Sequence, residues 1–283
     1  MKFSMETAEL FIPDGVPEAE ALSRTTHMGV GAHQDDLEIL AAPAILACFQ
    51  QPDRWFTGVT VTNGAGSART GLYAAYSDAE MVEVRRKEQR KAAIIGEYAA
   101  QFLLDHPSAT IKNTGDSRPV DDLAAILLAC RPQVIYTHNL ADKHDTHVGV
   151  ALALVAALRR VAGEYRPEQV YGVEVWRDLD WLSDQEKVVF DVSDHESLQA
   201  ALVGVYDSQI AGGKRYDLAT LGRRRANATY HASHDVDTSS AAIFAMDITP
   251  VTTPDGPDPV EFTLAAVDRF RADVEKRLRK FLR

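Results

Sequence analysis

Two short stretches hold the residue types that bind a cation and move a proton. One is Ala32-His33-Gln34-Asp35-Asp36-Leu37-Glu38. The other is Thr137-His138-Asn139-Leu140-Ala141-Asp142-Lys143-His144-Asp145-Thr146-His147. His33 and Asp36 share the spacing of His144 and His147. At a turn entering a helix, that spacing can bring both side chains of a pair to one point. Neither stretch contains cysteine. Three N and O ligands with an open fourth position make a catalytic zinc site rather than a structural one. His33, Asp36 and His147 are assigned as those ligands. Asp35 then lies beside the metal without binding it, placed to take a proton from a metal-bound water of pKa roughly 7. His144, one helical turn from His147, can face the substrate oxygen, stabilise an oxyanion as a cation and protonate a leaving amine. Asp142 or Asp145 can orient a histidine from behind.

Such a site needs both stretches at one edge of a sheet. His27–Ala32 and Gln133–Thr137 read as buried strands, each running into one stretch. Asp35–Phe49 and Thr146–Val161 read as the helices that follow, the first with Pro43 as a kink or early break. Every strand-to-helix loop of a parallel sheet emerges at the carboxyl ends of the strands, where ligand sites of open α/β sheets form. Further strands are expected at Trp55–Thr62, Tyr98–Leu104, Val170–Trp176, Lys187–Val192 and Ala241–Asp247. Helices are expected at Ser77–Tyr98, Val120–Cys130, His195–Tyr206 and Tyr216–Ala226. Val260, Leu264, Val267, Phe270, Val274, Leu278 and Phe281 recur in steps of three and four, predicting a last helix with one buried face. Residues 1–25 read as an irregular lead-in. The alternation implies an α/β fold with a mainly parallel sheet. The chain reads as a single domain over 1–283, with a core at about 26–178 and a C-terminal elaboration over 179–283.

The bulk properties agree. The chain has 283 residues, 46% apolar and 25% charged, as in ordinary folded proteins. Acidic groups outnumber Lys and Arg by 41 to 30, a formal charge of -11 that disfavours nucleic acid. No apolar run approaches the ~20 residues that span a bilayer, so no membrane partner is expected. Cys48 and Cys130 lie in apolar helical stretches and read as buried thiols in a reducing, cytoplasmic setting.

The two stretches together resemble the PIG-L/LmbE-like family of zinc-dependent N-acetylglucosaminyl deacetylases. The family's first motif, roughly His-Pro-Asp-Asp with a nearby Glu, matches His33, Asp35, Asp36 and Glu38. Its His-x-x-His matches His144 and His147, and Arg85-Arg86-Lys87-Glu88 is similar to its Arg/Glu-rich helix. The resemblance covers roughly residues 26–160. It implies a Rossmann-like three-layer sandwich, metal ligation by His33 and Asp36, and a base role for Asp35. Gln34 stands where the family has proline, which loosens the expected turn. Asp145 directly follows His144, whereas the family's Asp precedes the second His.

The expected activity is hydrolysis of an N-acyl group, most simply acetyl, from a small-molecule amino sugar or its conjugate. The expected cofactor is Zn2+, with Fe2+ or Mn2+ also suited to His and Asp donors. A metal-dependent phosphoesterase and a non-catalytic carbohydrate-binding protein are the alternatives. Asn63 and Arg69, in the loop NGAGSARTG, and His231 and His234, in YHASHDVD, are candidates for contacting substrate. The cluster around His231 could also hold a second metal. Arg85 and Arg86 taken alone read as a solvated helix face. A homo-oligomer is allowed.

Overall fold

The computed structural model describes residues 1–282. Its elements in chain order are β1 (Glu9–Phe11), α1 (Glu18–Ser23), β2 (His27–Gly31), α2 (Asp36–Leu40), α3 (Ala42–Cys48), β3 (Phe56–Thr62), α4 (Asp78–Ile95), β4 (Ala100–His106), α5 (Ser108–Lys112) and α6 (Arg118–Cys130). Then come β5 (Val134–His138), α7 (Asp145–Val161), β6 (Gln169–Val173), β7 (Lys187–Asp191), α8 (Glu196–Gly204), α9 (Asp207–Ile210), α10 (Tyr216–Tyr230), β8 (Ala242–Asp247) and α11 (Pro259–Phe281).

One eight-stranded sheet runs in the order β1-β4-β3-β2-β5-β6-β8-β7. Strands β4, β3, β2, β5 and β6 pair in parallel. β1, β8 and β7 join antiparallel towards the two edges. The strand order reverses between β2 and β5, the switch point at which open α/β sheets leave a crevice. Adjacent strand residues point to opposite faces. Ile135 therefore joins one apolar core with Leu123, Leu127 and Leu154 of α6 and α7. Tyr136 joins the other, with Leu40, Ile45, Ala92 and Leu202 of α2, α3, α4 and α8. This is a Rossmann-like three-layer α/β sandwich.

The stretch read as one helix over Asp35–Phe49 is two. α2 stops at Leu40, and α3 restarts at Ala42 with Pro43 in its first turn, where the missing N–H costs nothing. α2 lies close on the sheet because β2 offers it glycine. A Cβ on Gly29 would sit 2.8 Å from the Phe56 ring and 3.0 Å from Leu37 and Ala41. The lead-in is not wholly irregular, since Glu9–Phe11 pairs with β4. α11 forms as predicted, but its apolar stripe is solvent-exposed rather than buried. Periodicity specifies an apolar face; here no other part of the described chain packs on it. Cys48 and Cys130 are free and buried, and burial pushes each thiol up to about 12. No described helix is long and apolar enough to cross a membrane.

Candidate active site

The loops after β2 and β5 meet. His33 Nδ1 lies 3.3 Å from Asp36 Oδ2, and His147 Nε2 lies 3.4 Å from the same oxygen. His33 Nδ1 and His147 Nε2 are 3.3 Å apart. Tetrahedral bonds of 2.0–2.1 Å would set ligand atoms about 3.3–3.4 Å apart, so the three edges have the size that one zinc-sized cation requires. Two imidazole nitrogens and one carboxylate oxygen also form a donor set suited to such an ion. Asp36 and His147 are almost fully buried. Although burial acts to raise it, the Asp36 carboxyl is held well below the usual carboxylate range by His147 and His138. Burial acts to lower His147, but Asp36 and Asp142 raise it. The cluster therefore favours positive charge at its centre.

The turn is shaped by its own residues. Asp35 caps α2 in the left-handed region, at φ 94° and ψ -28°, a costly conformation for a residue with a Cβ. The His33 N–H donates to Asp36 Oδ2 at 2.7 Å, closing the turn. Gln34 fixes the turn with a hydrogen bond: its buried amide donates to the Thr62 carbonyl at 3.2 Å. Arg85, reaching in from α4, donates to the Gln34 carbonyl and lies 3.2 Å from Asp35 Oδ2. Burial pushes the Asp35 carboxyl up to about 6, with Arg85 pulling the other way.

The second loop has a different brace. Asp142 Oδ1 accepts the His144 N–H at 3.0 Å, and Oδ2 accepts the Trp176 N–H at 3.1 Å. The same carboxylate stands 3.5 Å from His147 Nδ1, on the side of the ring away from Asp36. Asp145 is exposed at the first turn of α7 and does not enter this arrangement. His144 packs between His33 and His147, with ring centroids 5.1 and 4.5 Å away. Burial and the flanking His147 and His33 lower its pKa, which favours a neutral ring over the expected cation. His138 accepts the Ala32 N–H on Nε2 at 2.9 Å, so that lone pair is committed to the backbone. A second donor group, His138, Asp142 and His147, shares His147 with the first.

A cavity of about 630 Å³ opens over the cluster, within the range of small-molecule sites. His33, Asp35, Asp36 and His144 reach it. Its walls include Arg85, Trp176 and Tyr216. The Trp176 ring lies 6.2 Å from His144, nearly parallel at 28°, with Lys214 Nζ 5.0 Å from its centroid.

The four residues proposed to contact substrate do not line this cavity. Asn63 turns inward to accept the Ala65 N–H. Arg69 spends its guanidinium on the carbonyls of Ser67, Ala65 and Tyr76 and on Asp78, pinning the loop it was expected to project from. His234 is exposed, and the His231 ring stands against Phe244. Gly64, Gly66, Ser67 and Ala68 of the same loop form the rim instead. Arg85 corrects the solvated-face reading, being 2% exposed. Its signal lay in phase: Met81, Arg85, Glu88, Gln89 and Ala92 form one buried face of α4. Trp176 and Tyr216 had no local signal, because the residues around them carry no motif.

No curated protein sequence matches the chain. Among solved structures it is similar to GalB, the 4-carboxy-2-hydroxymuconate hydratase of Pseudomonas putida, at 17% identity and TM-score 0.62, over 79% of this chain and 95% of that one. It is similar to a conserved protein of Thermus thermophilus at 19% identity and TM-score 0.60, over 78% and 94%. It is also similar to the N,N'-diacetylchitobiose deacetylase of Pyrococcus horikoshii at 13% identity and TM-score 0.61, over 80% and 84%. At these identities the likeness is one of fold. The family model PIG-L, described as GlcNAc-PI de-N-acetylase, matches residues 28–158, the segment that carries both His- and Asp-bearing loops. That segment, just under half of the chain, is similar to the PIG-L/LmbE-like family.

Proposed function

We propose that the protein is a zinc-dependent N-deacetylase that removes an acetyl group from the nitrogen of an amino sugar or its conjugate. The observation that carries this reading is the triangle of His33, Asp36 and His147 atoms, 3.3–3.4 Å on each edge, with Asp35 next in sequence but outside it. The match of residues 28–158 to the family model and the deacetylase among the similar folds support it.

His33, Asp36 and His147 would hold the ion. A divalent cation there supplies Lewis acidity and lowers the pKa of water to about 7. Asp35 takes the proton of the attacking water as the new C–O bond forms. The His144 ring, at the cavity wall, donates a hydrogen bond to the carbonyl oxygen as it gains charge. The proton then passes to the departing nitrogen as the C–N bond breaks, leaving acetate and a free amine. Asp142 holds the His147 ring in place from behind. Trp176 offers a flat apolar surface to one face of a sugar ring. A reducing, cytoplasmic setting suits the two unpaired buried thiols.

A two-metal phosphoesterase fits less well. The second donor group reuses His147, and the His138 lone pair on Nε2 is engaged by Ala32. Elemental analysis combined with free-amine detection over a panel of N-acetylated sugars and conjugates tests the proposal. One zinc per chain and amine release are expected. If metal-loaded protein releases no amine from any member of the panel, the deacetylase reading fails. A chain that adds water to a carbon–carbon double bond would also release none.

A further inference from the structure

The last helix has two apolar faces. Phe262 and Ala266 pack onto the body of the protein, and Arg269 ties the helix to Glu186. The second face is the stripe Val260, Leu264, Val267, Phe270, Val274, Leu278 and Phe281, whose members are 38% to 78% exposed. Every described residue from Val267 onward is exposed. Over 23 residues the helix is roughly 35 Å long. The seven side chains expose on the order of 700 Å², close to the roughly 800 Å² that each partner contributes to a stable protein interface. Isolated exposed apolar residues are ordinary, but a continuous stripe of this size marks a contact surface.

The pattern identifies what covers it. Read from either end, the stripe has nearly the same spacing. Two antiparallel copies centred between Phe270 and Arg271 would match Val260 with Phe281 and Val267 with Val274, with Leu264 and Leu278 one residue out of step. The centre would set Phe270 against Arg271, a cation on an aromatic ring. Such a two-fold contact closes on itself, which is how most homodimers are built. Charge agrees with this direction. The first half of the helix carries Glu261 and Asp268 against Arg269, whereas in the second Arg271, Lys276, Arg277, Arg279 and Lys280 outnumber Asp273 and Glu275. Antiparallel copies bring unlike charges together; parallel copies would align the two basic ends. A lipid surface fits less well, because Asp268, Asp273 and Glu275 interrupt the polar face and the whole chain carries -11.

We propose that α11 is the dimerisation element of this protein, pairing antiparallel with α11 of a second copy through that stripe. The proposal does not depend on the catalytic reading. Sedimentation velocity of the full chain at about 10 μM tests it, since an interface with a Kd of roughly 1 μM is then mostly dimeric. The wild type is expected to sediment as a dimer. The variant Leu264→Glu/Leu278→Glu is expected to sediment as a monomer with an unchanged circular dichroism spectrum, its thermal midpoint lower only by the lost association. A cysteine pair reads the direction: Val267→Cys chains mixed with Val274→Cys chains should form a disulfide, whereas Val267→Cys chains alone should not. The native thiols are buried and stay out of this reaction. A monomeric wild type, a dimer indifferent to the two glutamates, or efficient self-cross-linking of Val267→Cys would each overturn the proposal. So would a monomer that binds vesicles of anionic phospholipid through the same stripe.

Discussion

Asp35 and Asp36 are neighbours with the same functional group and opposite surroundings. Asp36 points among imidazoles and is held ionised, whereas burial drives Asp35 upward to about 6. The left-handed backbone at Asp35 is what separates the two directions. The proposed division of labour predicts that Asp35→Asn retains one metal per chain while amine release falls by about 10²–10⁴-fold. Metal analysis and kinetics on the same preparation would read both. A variant with full turnover would remove Asp35 as the base. Asp142 acts at one remove, on the far side of the His147 ring. Asp142→Asn should weaken metal affinity by about 10–100-fold, measurable by competition with a chelator. Unchanged affinity would reduce Asp142 to a loop brace for His144 and Trp176.

Elements set which residues can meet. β2 and β5 are adjacent and parallel, so the loops that follow them leave the same edge side by side. The distance between His33 and His147 in sequence is irrelevant once those strands pair. The other wall of the cavity comes from the chain after β6, where Trp176 is braced through its main chain by Asp142. The loop after β5 and the wall therefore share one carboxylate. Trp176→Ala is expected to raise KM several-fold for a sugar substrate while leaving kcat within about a factor of three, because a stacking surface binds ground and transition states alike. A large fall in kcat at constant KM would place the ring in the chemistry instead.

At the scale of the molecule, the elaboration is stitched into the core. Glu38, two residues after Asp36, accepts Tyr98 at 2.7 Å and Tyr206 at 2.6 Å, and Arg224 donates to its carbonyl at 2.8 Å. Tyr206 and Arg224 lie in the elaboration, which also supplies β7 and β8 to the common sheet. We propose that the whole chain is one folding unit. Thermal unfolding should then show a single transition, coincident by far-UV and near-UV circular dichroism. A chain cut after Asp178 would leave the β6 edge bare and Glu38 short of a partner, and it is expected to aggregate or stay unfolded. A soluble fragment with its own cooperative transition would argue for two domains.

Read alone, the amino-acid order determined what is local. The short spacing from His33 to Asp36 and from His144 to His147, each where a strand meets a helix, specified the donor types and their shared sheet edge. Tertiary structure decided what depends on distant packing. Arg85 became a wall of the cavity because Gln34 and Asp35 receive it, and Arg69 was withdrawn because its own loop folds back around it. Trp176 and Tyr216 reached the cavity through packing that no nearby residue signals. The stripe on α11 shows the same limit: periodicity prescribes an apolar face, but only the assembled chain reveals whether anything within it covers that face. Chemistry encoded over three or four residues survives in any context, whereas burial and orientation are properties of what packs alongside.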